Sequence, residues 1–435
     1  MRLLVLVVML VVAALACGDA PASAPVSTPA FERRATEPAP PRLDDAEDGA
    51  SDDGQPVTIA GRLVDQRGAP IAGRRFRTRG ADGDRRDDVT RSDGRIALEG
   101  VVPPYDLLVR GGAETGPTLY LGVTRADPVV ALFEAAAEPV PAQTVVVGVL
   151  APPCDEERCV VDVVTTSAHG GGAMSALSEP NADGDAVAIL EVPHFWDARP
   201  GADEPIAVHV LVRDGEARSF SYVRREGAAL AAPGERRDAG MLRARAVAAS
   251  ERLRASAGAE GVAPEARWGA TASIAIDGAR FLLAAAPSPA VTTRVPLLEG
   301  ARWRAMIEAT SAGRSAIAWS GARGPADADV RLVLPALPRD VAVEDGRLRW
   351  SAGGGALASI DVLDVGRRRF CCRLVTNETD LALARLEHLG LPPLAEGAHE
   401  LVVRITPDRS LDAALAAELE EPGGSSYARV SFDVR

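Results

Sequence analysis

Apolar and polar residues alternate at period two, interrupted by turn residues, and this pattern constrains the chain most. Ile96 and Leu98 alternate with polar or small neighbours, as do Tyr105, Leu107 and Val109, the run Ile206 to Val212, and Phe220 to Val223. Residues two apart share one face of a strand, so such runs bury one face and wet the other. Ser92-Asp93-Gly94 supplies a hairpin turn between two of them. The expected class is all-β, built as tandem β-sandwich domains after a signal peptide and a disordered tether. At 435 residues the chain has room for several domains. Hydrophobic residues make up 47% but aromatics only 4%, so the cores must come mainly from Val, Leu, Ile and Ala.

The first residues read differently. Arg2 precedes the apolar run Leu3 to Leu15, which is shorter than the roughly 20 residues of a membrane span and suits a signal-peptide core. Ala14-Leu15-Ala16-Cys17 resembles the lipobox of bacterial lipoproteins, although that pattern favours Leu where Ala14 stands. The resemblance implies diacylglyceryl transfer to the Cys17 thiol and cleavage before it. The resemblance also implies a destination: the inner-membrane retention signal of that class is Asp after the cysteine, and Gly18 stands there, which implies the outer membrane in a Gram-negative source. Two or more acyl chains hold a protein at a bilayer stably where one does not. From Gly18 to about Gln55, prolines give way to Asp44, Asp45, Glu47, Asp48, Asp52 and Asp53. Such a segment cannot offset its ordering entropy, and as a coil it spans roughly 35 Å.

The expected organisation is a signal peptide at 1–16, Cys17 and tether at 17–55, then domains at 56–137, 138–250, 251–338 and 339–435. In the first, Ile59 to Asp65, Gly68-Ala69-Pro70-Ile71-Ala72-Gly73, Ser92 to Leu98 and Tyr105 to Val109 resemble the carboxypeptidase regulatory-like domain. That resemblance implies a seven-stranded transthyretin-like sandwich and no peptidase residues. Gly80 to Asp88 reads as a charged hairpin tip. The 138–250 segment reads as a second sandwich, with Pro233 to Leu242 resembling closing strands of the same superfamily. Arg243 to Ala257 fits helix or strand. Leu348-Arg349-Trp350 and the late runs to Val434 resemble a fibronectin type III or immunoglobulin-like module. Ser410 could cap a helix carrying Leu411, Leu415 and Leu419 on one face.

Five cysteines are present. Cys154 and Cys159 enclose a short charged tip, and a disulfide between them is expected. A zinc half-site is the rival, but Cys371 and Cys372 make an awkward second pair, because neighbours on a strand point to opposite faces.

Several segments imitate chemistry. His169-Gly170-Gly171-Gly172 resembles an esterase oxyanion loop, yet no G-x-S-x-G elbow accompanies it. His194, Asp197 and His209 could ligate a metal in a hydrolase, with Pro193 and Pro200 placing the first two on a loop. Asn181, Asp183 and Asp185 resemble a calcium loop without its distal Glu. Trp196, Trp303 and Trp319 could stack on glycan rings if exposed, and Trp196 is the foremost of them.

No catalytic set, cofactor or metal site is expected. Net charge is −13, and every one of the 48 basic residues is Arg. That balance argues against nucleic acid as a partner, since clustered cations must displace its counterions. The leading expectation is a non-catalytic, lipid-anchored envelope or surface protein. Its partners would be the membrane through the lipid and an envelope protein or glycan. A glycan-binding adhesin and a metal-dependent hydrolase are the alternatives.

Overall fold

The computed structural model describes residues 55–434 except 66–67, 112–115, 133–139, 155–157, 197–199, 202, 259–264, 312–313, 320–327, 352–355, 368, 392, 408 and 417–423. Cys17, the signal peptide and the tether to residue 54 lie outside the described residues. The chain is all-β, with tandem sandwiches along its length.

The first unit contains β1 (Val57–Asp65), β2 (Arg75–Arg79), β3 (Arg85–Val89), β4 (Arg95–Val101), β5 (Tyr105–Val109), β6 (Thr118–Val123) and β7 (Val129–Leu132). One sheet runs β4-β1-β7, with β1 antiparallel to β4 and parallel to β7. The other runs β3-β2-β5-β6. Ile59, Leu63, Phe76, Ile96 and Leu107 fill the space between. Gly94 makes the expected hairpin turn at φ 74°, and a Cβ there would come within 2.6 Å of the Leu63 carbonyl. The charged tip is shorter than its sequence suggested. Arg85–Val89 forms an edge strand, whose row of Arg and Asp discourages pairing with a foreign strand.

The second unit contains β8 (Gln143–Ala151), β9 (Val160–Ser167), β10 (Gly170–Leu177), β11 (Glu179–Pro180), β12 (Ala186–Trp196), β13 (Pro205–Arg213), β14 (Phe220–Leu230), β15 (Arg236–Arg243) and β16 (Arg245–Val247). The third contains β17 (Ala249–Ala257), β18 (Arg267–Ile276), β19 (Ala279–Ala286), β20 (Ala290–Pro296), β21 (Arg302–Ser311), β22 (Arg314–Trp319) and β23 (Ala328–Leu332). The ambiguous stretch from Arg243 is therefore strand. Leu253 and Ala255 alternate into the third core, and pairing on both sides of β17 overrides the helix preference of alanine.

These three units repeat one strand plan. Setting aside the short β11 and β16 of the second unit, the first strand of each lies between an antiparallel fourth strand and a parallel last strand: β4-β1-β7, β12-β8-β15 and β20-β17-β23. Counted the same way, the facing sheet orders the third, second, fifth and sixth strands: β3-β2-β5-β6, β10-β9-β13-β14 and β19-β18-β21-β22.

The fourth unit departs from that plan. It contains β24 (Arg339–Glu344), β25 (Arg347–Ser351), β26 (Leu357–Asp364), β27 (Arg369–Thr376), β28 (Asp380–Ala382), β29 (Gly397–Thr406) and β30 (Gly424–Val434). Sheet β24-β25-β28 accompanies β27-β26-β29-β30, and Trp350 lies in their shared core. A single turn, Leu411–Ala414, is capped by Ser410, whose hydroxyl accepts from the Ala413 N–H as expected.

Order along the chain is not order in space. β6 pairs in parallel with β27, and β22 pairs antiparallel with β30, so the first, fourth and third units share one twelve-stranded sheet. The second unit joins through packing. Leu211 and Phe220 from its outer face lie in the third unit's core cluster. The sixth-strand edge of each repeat is thus covered, by β27, β16 and β30 respectively.

Candidate functional site

The three histidines singled out in the second unit lie toward one end of it, while the Asn181–Asp185 turn precedes β12 at the other. β12 is longer than expected and carries Pro193 and His194 within the strand instead of on a loop. Pro193 is tolerated because pairing of β12 with β10 is confined to Gly170↔Trp196 and Gly171↔Phe195, so its missing N–H interrupts little of that ladder. Trp196 and His194 face the sandwich interior, with ring centroids 4.4 Å apart.

His194 is fully buried. Its Nδ1 lies 3.0 Å from Thr165 Oγ1 and its Nε2 lies 3.2 Å from Ser167 Oγ. His209 is equally buried but on the other face of its sheet, alongside Leu211 and toward the third unit. Its Nε2 is 3.1 Å from Thr166 Oγ1 and its Nδ1 is 3.1 Å from Tyr222 OH. Burial, then the nearby Arg224 charge, pushes its pKa down to about 4. The two histidines therefore cannot share an ion, and Asp197 lies outside the described residues. Among the described residues no group of three metal-ligating side chains converges.

His169 instead pairs with Glu204. Nδ1 lies 2.7 Å from Oε2, and the His169 backbone N–H donates to Oε1 at 2.9 Å. Burial alone would raise the Glu204 carboxyl, but hydrogen bonds from His169 and Ser167 bring it below the usual carboxylate range. This pair closes the β9–β10 turn onto the loop before β13.

The triple glycine is not an oxyanion loop. Gly170, Gly171 and Gly172 register with Ser167, Thr166 and Thr165, so this segment is the start of a strand ladder. Glycine is required by close approach. A Cβ on Gly172 would run into the Pro193 carbonyl, and one on Gly170 into the Phe195 carbonyl. Asn181 forms an ordinary turn, its side-chain oxygen accepting from the Asp183 and Asp185 N–H groups at 2.9 Å.

The tryptophans serve packing. Trp303 is 1% exposed and Trp196 7%, so neither offers a stacking platform. Trp319 is partly covered, with Arg304 5.1 Å above its ring. Exposed apolar side chains lie elsewhere, at Ile189, Phe195 and Met241 on the outer face of β12 and β15. Gly148 on β8 between them leaves room for the Met241 thioether, 3.0 Å from where a Cβ would stand.

Cys154 and Cys159 are bonded, with Cα atoms 5.7 Å apart. Cys371 and Cys372 are free and do not split between faces as a regular strand would require. The β26–β27 register breaks beside them, making Cys371 an extra residue, and both thiols contact the terminal core. Burial pushes the Cys372 thiol up to about 12 and raises Cys371 as well.

The residues that sequence reasoning missed lie between the first and fourth units. Arg385 donates to Asp106 Oδ2 at 2.8 Å and to Glu378 at 2.7 and 2.9 Å. Asp412 accepts from the Thr124 and Arg125 N–H groups at 3.1 Å each, and also from the Thr124 hydroxyl. Leu108, Leu119 and Leu121, on the outer face of the first unit, belong to the fourth unit's core.

No family model and no curated protein matches the chain. Among solved structures it resembles the Bacillus anthracis TIE protein at 9% identity and TM-score 0.16, covering 64% of this chain and 50% of that one. The BcpA major pilin subunit of Bacillus cereus aligns at 8% identity and TM-score 0.17, over 65% of this chain and 99% of the pilin. The SpaC pilus adhesin of Lactobacillus rhamnosus aligns at 6% identity and TM-score 0.14, over 65% of this chain and 43% of the adhesin. The chain thus spans half of the first of these relatives. Likenesses this distant assign neither family nor activity.

Proposed function

We propose that this chain is an exported, non-catalytic protein of the cell envelope, acylated at Cys17 and held at the outer membrane. Its fused sandwiches present a binding surface to an envelope protein or glycan. The observation that carries this reading is the twelve-stranded sheet joining the first, fourth and third units, because it makes them one stiff platform. The leader ending at Cys17 and the Cys154–Cys159 bond, which suits an oxidising compartment, add support. On this reading the three repeated units are carboxypeptidase regulatory-like modules, and the fourth, with its three-plus-four sheets, is a fibronectin type III-like module. Ile189 and Met241, exposed on either side of Gly148, and Phe195 farther along the same face of β12 are natural contacts for a partner.

Metabolic labelling with palmitate tests the anchor. The wild-type chain takes up label and sediments with membranes, while Cys17→Ser takes up none and is released. An unlabelled chain in the cytosol with Met1 retained overturns the reading.

A further inference from the structure

The outer face of the sheet β3-β2-β5-β6 ends in a row that the fourth unit's core does not include. Val89, Arg75 and Arg110 stand side by side there. Val89 registers with Arg75, and the Arg110 N–H donates to the Arg75 carbonyl at 3.2 Å. The next row is closed: Arg77 pairs with Asp87 and donates to the Leu389 carbonyl at 2.8 Å, and Leu108 is buried. Of the two acids nearby, one is neutralised by an arginine and the other keeps its charge. Asp87 is held by Arg77, and Asp88 accepts its neighbour's N–H, that of Val89, at 2.7 Å. Arg75 and Arg110 are both exposed, and neither has a side-chain partner among the described residues.

Like charges directly opposite across an antiparallel pair cost stability. Here the cost falls at a groove of about 420 Å³ that Arg75 and Arg110 line together with Arg77, Asp87, Asp88 and Val89, the last 44% exposed. We propose that this groove binds an oxyanion, carboxylate or phosphate, clasped between the Arg75 and Arg110 guanidinium groups, with an apolar part of the ligand against Val89. The planar fork of guanidinium matches either oxyanion in a bidentate fashion, and an anion between two facing cations turns their repulsion into attraction. Recognition of this kind belongs to the folded chain and does not depend on the lipid anchor.

Calorimetric titration of the purified full chain at constant ionic strength tests the site, using inorganic phosphate, glucuronate and, as neutral control, glucose. Saturable binding of at least one oxyanion and none of glucose is expected, and the responding arm separates a phosphate-bearing from a carboxylate-bearing ligand. Arg75→Gln and Arg110→Gln each weaken it by about tenfold or more. Without ligand, both variants melt at or above the wild-type temperature because the repulsion is relieved, so weakened binding is not lost folding. Arg95→Gln, on the other sheet, binds as wild type. Failure of both oxyanions to bind, or unchanged binding in the two variants, overturns the proposal.

Discussion

Arg385 and Asp106 lie 279 positions apart in sequence yet form a paired contact, Nε donating to Oδ2 at 2.8 Å and Nη2 to Oδ1 at 2.5 Å. Asp106 sits on β5 of the first unit, and its Oδ1 also accepts the Gly122 N–H at 3.0 Å. Hydrogen bonding to Asp106 holds the Arg385 guanidinium above its ordinary pKa. Arg385→Met leaves a buried carboxylate with too few donors. Its expected cost is about 2 kcal/mol, less than for a fully buried pair because Arg385 keeps some water contact. Denaturant titration of the two single variants and of the double variant with Asp106→Asn measures the coupling.

The neutral His209 gives the fold an acid sensitivity. Its folded pKa of about 4 lies below the ordinary value of 6.5, so below pH 6.5 the unfolded chain takes up a proton that the folded chain refuses. Its contribution is complete above pH 6.5, declines as pH falls toward 4, and is lost below that, a change of about 3 kcal/mol. His209→Gln removes that slope. Comparing wild type and variant by urea denaturation at several pH values isolates the histidine from the carboxylates titrating in the same range.

Gly172→Ala distinguishes a close crossing of strands from a flexible loop. The added methyl meets the Pro193 carbonyl, so a loss of about 3 kcal/mol or failure to fold is expected. A free loop would accept alanine with little change in melting temperature.

The two free thiols should react in sequence. Cys371 is half-buried and alkylates in the native protein, whereas Cys372 reacts only on unfolding. Peptide mass spectrometry after timed alkylation reads the order directly. Removing the other pair with Cys154→Ser and Cys159→Ser costs about 2 kcal/mol, the small value suited to so short a loop.

Much of this architecture was legible in the sequence, because half-buried strands write their faces as alternation. The turn at Gly94, the cap at Ser410 and the bond at Cys154 follow from local chemistry. The joining of units was not foreseen, although a signal was present. Leu107 and Leu108 are consecutive, as are Leu119, Tyr120 and Leu121, and apolar residues on both faces mark a strand buried on both sides. Pro193 misdirected the reading of His194, because a proline usually marks a loop but here lies within a strand, just past the end of the β10–β12 register. The repeated plan in three units was hidden because topology, not residue identity, is what they share.

Hydrogen exchange read by mass spectrometry tests most directly whether the first and fourth units are one body. The amides of Thr118–Val123 and Arg369–Thr376 should be protected to the same degree and should open together, at the free energy of a central strand pair. Rapid exchange in Thr118–Val123 while the fourth unit stays protected would show a bare edge and separate domains, contradicting the account.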